Sequence, residues 1–171
     1  MTTLKTQKPH AKKSTSPRPE LLLQLHLESN PETLCLVRAT LQRAAEVLHF
    51  PEHESRAIVR SVDEALANII RHAYHGQPGK PIDVSCSRLW HRKAAKTPKG
   101  IEIVMEESGP AVDVDKLKGR SLDEIRPGGL GLHFIKQSMD VVEFRRKSGR
   151  NSLRLVKYLA TPRPDESKEG E

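Results

Sequence analysis

Apolar residues repeat along this chain first at helical spacing and then at alternate positions. Leu21-Leu-Leu-Gln-Leu-His-Leu27 alternates well enough at its end to predict a first strand. Asn30, followed by Pro31 and Glu32, is a helix-start signal, because Pro fits the first helical position and needs no N–H there. Leu34, Val37, Leu41, Ala44 and Leu48 then recur near 3.6-residue spacing and predict a helix over Thr33–Leu48. A second helix is predicted over Glu52–His75, with a buried stripe of Ile58, Val62, Ala65, Leu66, Ile69, Ile70 and Ala73. After Gly76-Gln-Pro-Gly79 the period falls to two. Pro81–Leu89 and Ile101–Met105 read as strands joined by a charged hairpin loop, His91–Lys99. The polar stretch Glu106–Pro127 has little periodicity. Gly128–Gly131 opens a short helix to Met139, and strands Val141–Arg146 and Ser152–Leu159 complete the pattern.

Helices and strands fall in runs rather than in strict alternation. That predicts an α+β fold, a two-layer sandwich with a mostly antiparallel sheet and helices on one face. The chain has 171 residues, one domain's worth, and no stretch of about 20 apolar residues that would span a membrane. Its first residues have no apolar signal region. Cys35 and Cys86 lie far apart, so a disulfide framework or zinc ribbon is not indicated and a cytoplasmic location is expected.

The formal net charge of +7 invites a nucleic-acid reading, but its distribution argues against one. Residues 1–18 carry +5 and residues 161–171 carry −2, which leaves +4 between them. The head, 1–19, and the tail, 161–171, hold too little apolar surface to offset ordering entropy and are expected to be disordered. The folded unit is expected over 20–160. No interleaved aromatics or known nucleic-acid motif accompany the basic head, so direct nucleic-acid binding is not expected.

Three constellations could carry chemistry. Glu64, Asn68 and His72 are spaced i, i+4, i+8 and share a helix face beside the apolar stripe. An Asn oxygen can ligate Mg²⁺, and a Glu one turn away can accept a proton from an attacking hydroxyl. Taken alone, such spacing more often describes a polar row on an amphipathic helix. Glu107, at a strand end, can accept a hydrogen bond from an exocyclic amine, and Gly109 permits close backbone approach. Alone, this is simply a strand, a turn and a solvated acid. Gly128, Gly129 and Gly131, with Leu130 and Leu132, precede or open a helix whose first N–H groups can meet an anion. The glycines lack the Lys-Ser/Thr of a Walker A loop and no strand feeds them as in a Rossmann fingerprint; a flexible hinge is the plainer alternative.

Together and in this order, the three motifs resemble the GHKL ATPase fold of gyrase-type topoisomerases, ninety-kilodalton heat-shock chaperones and sensor histidine kinases. More narrowly, Glu64-Ala-Leu-Ala-Asn68-Ile-Ile-Arg-His72-Ala-Tyr74 and Gly129-Leu-Gly-Leu-His-Phe-Ile-Lys-Gln-Ser-Met-Asp140 resemble the anti-sigma-factor serine kinases of the RsbW/SpoIIAB type. The likeness covers about residues 20–160. It implies a Bergerat-type nucleotide site for ATP and Mg²⁺, with Glu64 as catalytic base and Asn68 as metal ligand. His72 falls among the nucleotide-binding residues in a supporting role. Glu107, Gly109 and Ala111 fall around adenine, and Gly128, Gly129, Leu130, Gly131 and Leu132 lie at the end of an ATP lid spanning 112–131.

The implied function is a serine/threonine protein kinase that phosphorylates an anti-anti-sigma partner of the STAS type and sequesters a sigma factor. A homodimer is implied as well. The sequence departs from the family's Asp-x-Gly-x-Gly pattern at two places. Glu107 replaces Asp, so its longer carboxylate must retract or act through water. Ala111 replaces Gly, adding a methyl group that would crowd the lid or oppose a left-handed backbone. These departures motivate the alternative of a non-catalytic or nucleotide-gated binding module on the same fold.

Overall fold

The computed structural model describes residues 18–90, 98–111 and 130–160. The predicted head to residue 17, the 91–97 part of the hairpin loop, the lid residues 112–129 and the tail from 161 lie outside them. The first strand, β1 (Arg18–Glu28), extends beyond both ends of the predicted one and includes two residues expected in the head. A single 3-10 turn, Pro31–Thr33, follows, and the Asn30 side chain accepts from the Glu32 N–H at 3.0 Å to cap it. Helix α1 (Leu34–Val47) then buries Leu34, Val37, Leu41, Ala44 and Ala45 on one face.

Helix α2 (Glu52–Asn68) buries Ile58, Val62, Ala65 and Leu66. The predicted helix does not run unchanged to His75. From Ile69 to Ala73 it widens into one π turn, in which Ile70 is buried while Ile69 and Ala73 are only partly so. The Tyr74 N–H closes this wider turn on the Ile69 carbonyl at 3.0 Å. Single π turns inside helices are uncommon and concentrate at functional sites.

Strands β2 (Pro81–Trp90) and β3 (Pro98–Glu107) pair antiparallel, and helix α3 (Leu130–Ser138) precedes β4 (Val141–Lys147) and β5 (Arg150–Tyr158). Ser148 and Gly149, both at positive φ (50° and 82°), join β4 to β5 in a two-residue hairpin. The sheet is antiparallel throughout, in the order β1-β2-β3-β5-β4. Its core face presents Ile82, Val84, Cys86, Ile101, Ile103, Met105, Leu153 and Leu155 to the helices, and α2 packs against both α1 and α3. This is the predicted two-layer α+β sandwich. Burial pushes the Cys86 thiol up to about 12, consistent with its place in this core. No helix among the described residues is long and apolar enough to cross a membrane.

The opposite sheet face is polar and laced with charge. Arg154 donates to Glu102 at 2.5 Å, and Asp83 on β2 accepts from Arg150 on β5 and from His26 on β1. The Arg150 hydrogen bond, helped by the one from His26, holds the Asp83 carboxyl below its ordinary range despite partial burial. A lowered carboxylate pKa stabilises the fold at neutral pH, and that contribution disappears as the pH falls through the folded-state value. Asp83→Asn is therefore expected to be less stable than the parent at pH 7. In denaturant melts the difference should shrink as the pH falls through and below the ordinary carboxylate range; an undiminished difference in acid would show that the charge is not its source.

Candidate functional site

The three sequence motifs meet along α2 and its π turn. Near the middle of the helix, Glu64 packs against Gly131 in the first turn of α3. A Cβ built on Gly131 would stand 2.0 Å from Glu64 Oε1 and 2.3 Å from its Cδ, so only glycine leaves space for this carboxylate. The Glu64 side chain is 29% exposed, and its Oε1 lies 3.7 Å from Arg71 Nη2. Arg71 also donates through Nε to the Ala67 carbonyl at 3.2 Å.

At the far end of the same helix, Gly109 lies against Ala73. A Cβ there would come within 2.9 Å of the Ala73 Cβ and 3.0 Å of its carbonyl oxygen. Tyr74 fixes this end: its hydroxyl donates to the Pro81 carbonyl at 2.6 Å and accepts from the Ser108 N–H at 3.0 Å. Burial first, then the nearby Glu107 charge, raise the Tyr74 hydroxyl above its ordinary range, which preserves it as a donor. Asn68, half-buried, stands on the helix between the two glycine contacts.

Glu107 is 3% exposed at the end of β3. Its longer side chain is drawn back: Oε2 accepts from the Gly109 N–H, and Oε1 accepts from Asn151 Nδ2 on β5. Asn151 is buried as well and also donates to the Pro110 carbonyl at 2.7 Å. Arg146 Nη1 donates to Asn151 Oδ1 at 2.6 Å and to the Gly109 carbonyl at 3.1 Å. A buried carboxylate costs free energy unless it is hydrogen-bonded, and this set of donors provides for it.

Of the residues singled out in the sequence, the structure thus brings Glu64 to Gly131, and Glu107 to Gly109. His72 is exposed on the π turn, where the neighbouring Ala73 makes the contact to Gly109. Ala111 is exposed and is not among the residues at positive φ, so its methyl group forces no left-handed backbone. Leu132 is partly buried in the first turn of α3, which begins at Leu130; Gly128 and Gly129 lie outside the described residues. Sequence reasoning gave no role to Asn151, Arg146 or Arg71. Asn151 and Arg146 reach Glu107 and Gly109 through strand register, a relation spanning about 40 residues that no local motif encodes.

A helix-backed antiparallel sheet, with Glu64 and Asn68 on the central helix, Gly131 packed on Glu64 and Gly109 on Ala73, is the arrangement to set beside known families. Residues 27–157 match the histidine kinase-like ATPase domain, and the chain belongs to that family. Among curated relatives, it is 26% identical over 152 residues to the serine-protein kinase RsbW of Bacillus pumilus, covering 84% of this chain and 90% of the relative. It is 28% identical over 148 residues to the serine/threonine-protein kinase BtrW of Bordetella bronchiseptica, covering 78% and 98%. A chain of the SiaB–SiaC complex from Pseudomonas aeruginosa shares the fold, with a TM-score of 0.58 at 15% identity over 80% of this chain and 89% of that one. The chain is thus RsbW-like in sequence over 84% of its length.

Proposed function

We propose that this protein is an ATP- and Mg²⁺-dependent serine/threonine kinase of the anti-sigma type. In this reading it phosphorylates an anti-anti-sigma partner of the STAS class, sequesters a sigma factor, and acts as a cytoplasmic homodimer. The observation that carries the reading is the convergence of the Glu107–Gly109 turn and the Gly131 turn on one helix bearing Glu64 and Asn68. The similarity to named serine kinases, over 84% and 78% of this chain, supports it.

The residues present suit the cofactor. Asn68 offers an amide oxygen, the donor type Mg²⁺ takes when phosphates and water supply its other ligands. Mg²⁺–ATP, when bound, supplies the phosphoryl group and the counter-charge to the phosphates. Glu64 would accept the proton of the incoming Ser or Thr hydroxyl as that oxygen attacks phosphorus, with the Arg71 guanidinium 3.7 Å from its carboxylate. The first turn of α3 lies against Glu64 through Gly131, and a helix N-terminus favours negative charge near it. Glu107 would accept from the adenine amine, its carboxylate held beside the Gly109 turn that packs on Ala73.

A second reading, a binding module gated by nucleotide without transfer, is favoured by one observation: both Glu107 oxygens already accept protein N–H groups. Calorimetric titration with ATP, with and without Mg²⁺, tests both readings. The kinase reading expects Mg²⁺-dependent binding followed by transfer to the antagonist. Binding without transfer would favour the gated module, and no binding would overturn the nucleotide site itself.

A further inference from the structure

Asn151 stands directly opposite Glu107 in the β3–β5 register, on the sheet face that otherwise carries Leu153 and Leu155 into the core. An aliphatic side chain would suit that position as packing. Instead there is an amide whose polar capacity is spent inside the protein. Its two N–H groups serve Glu107 Oε1 and the Pro110 carbonyl, and its oxygen accepts from Arg146. Asn151 has no donor left for a ligand. The Glu107 carboxylate differs: each oxygen accepts one protein N–H and retains a further lone pair, so it can offer acceptors and only acceptors.

A Glu side chain has one more rotatable bond than Asp, and unrestrained it would sample several carboxylate positions at this strand end. Asn151 removes that freedom. Arg146, hydrogen-bonded to the Asn151 oxygen and to the Gly109 carbonyl, fixes the amide and the turn together and places a positive charge behind the relay. A satisfied hydrogen-bond network around a buried pair such as Glu107 and Asn151 serves to specify geometry.

We propose that Asn151, backed by Arg146, is a positioning residue that sets nucleobase specificity by holding the Glu107 carboxylate where it meets an exocyclic amine. The proposal rests on the nucleotide reading above. It assigns to β5 and β4 a part in base selection and makes Glu107 and Asn151 a matched pair, the amide fixing the extra length of the acid.

The test uses the full chain and two probes, Mg²⁺–ATP and the triphosphate of purine riboside, which is ATP without its 6-amine. Affinities are measured by calorimetry for the parent, Asn151→Leu and Arg146→Met, each checked by thermal unfolding. The parent should prefer ATP by about tenfold or more, the scale of one hydrogen bond to a charged group. In Asn151→Leu the preference should fall to within about threefold, mostly through weaker ATP binding, while affinity for the amine-free probe changes little. Arg146→Met, altered at an exposed residue, should show an intermediate preference at a near-parental melting temperature, and Arg146→Lys should restore part of it. A folded Asn151→Leu variant that keeps the full preference overturns the proposal. If that variant does not fold, an unchanged preference in Arg146→Met overturns it. A parent that binds both probes equally also refutes it while leaving the nucleotide site standing. A parent that binds neither refutes the nucleotide reading as well.

Discussion

Gly131→Ala is expected to lower phosphate transfer by about a hundredfold or more in a protein that remains folded. The new Cβ would stand 2.0 Å from Glu64 Oε1 and 2.5 Å from its Cγ, well inside van der Waals contact. Something must move by more than an ångström, and the partly exposed, flexible Glu64 side chain yields more readily than two packed helices. A displacement of that size at a catalytic group is enough to remove about two orders of magnitude in rate. Stability should not fall in parallel. Gly131 lies within α3 at no positive φ, and Ala is the better helix former by about 1 kcal/mol. Single-turnover transfer and a thermal melt on the same preparation separate the two effects. Parental transfer in a folded Gly131→Ala protein would mean that the Glu64 position is not used in the reaction.

Glu107→Leu is expected to do the reverse, damaging the fold as well as the site. The side chains are of comparable size, but the substitution leaves the Gly109 N–H and one Asn151 N–H without their acceptor in a buried setting. An orphaned buried donor costs about 1–3 kcal/mol, and the two together about 2–4 kcal/mol, since the turn can relax in part. Urea unfolding should show this loss, and ATP titration should show no binding. A variant as stable as the parent would mean that the network around Glu107 contributes little in solution.

Much of this molecule is legible in its sequence because local signals agree with long-range packing. The Asn30-Pro31-Glu32 signal marks where the chain turns into its first helical segment, and the Leu34–Leu48 stripe and the Ile82/Val84/Cys86 alternation each state which face turns inward; both faces are buried as their periods require. Gly109 could be read as a place of close approach and proves to be one, whereas Gly131, read as part of a phosphate-binding turn or a hinge, proves to lie against the Glu64 side chain. The π turn could not. Ile69 and Ile70 fit an α-helical stripe equally well, and what holds the wider turn is tertiary, the Tyr74 hydroxyl bridging Pro81 on β2 and Ser108 just after β3. That turn brings Ala73 to Gly109 and leaves His72 in solvent, contrary to a simple i, i+4, i+8 row. Asn151 and Arg146 were silent for a related reason. Their partners are set by the register of β3 on β5 and of β4 on β5, and strand register is a property of the assembled sheet.

The central claim is that Glu64 takes the proton of a protein hydroxyl during transfer from ATP. The most direct measurement is single-turnover transfer of labelled γ-phosphate to a Ser or Thr of the STAS-type antagonist, comparing the parent with Glu64→Gln. The expected result is transfer by the parent and a loss of about 10²–10⁴-fold in Glu64→Gln, the range for a removed general base, with ATP affinity nearly unchanged. Transfer at the parental rate in Glu64→Gln would contradict the account.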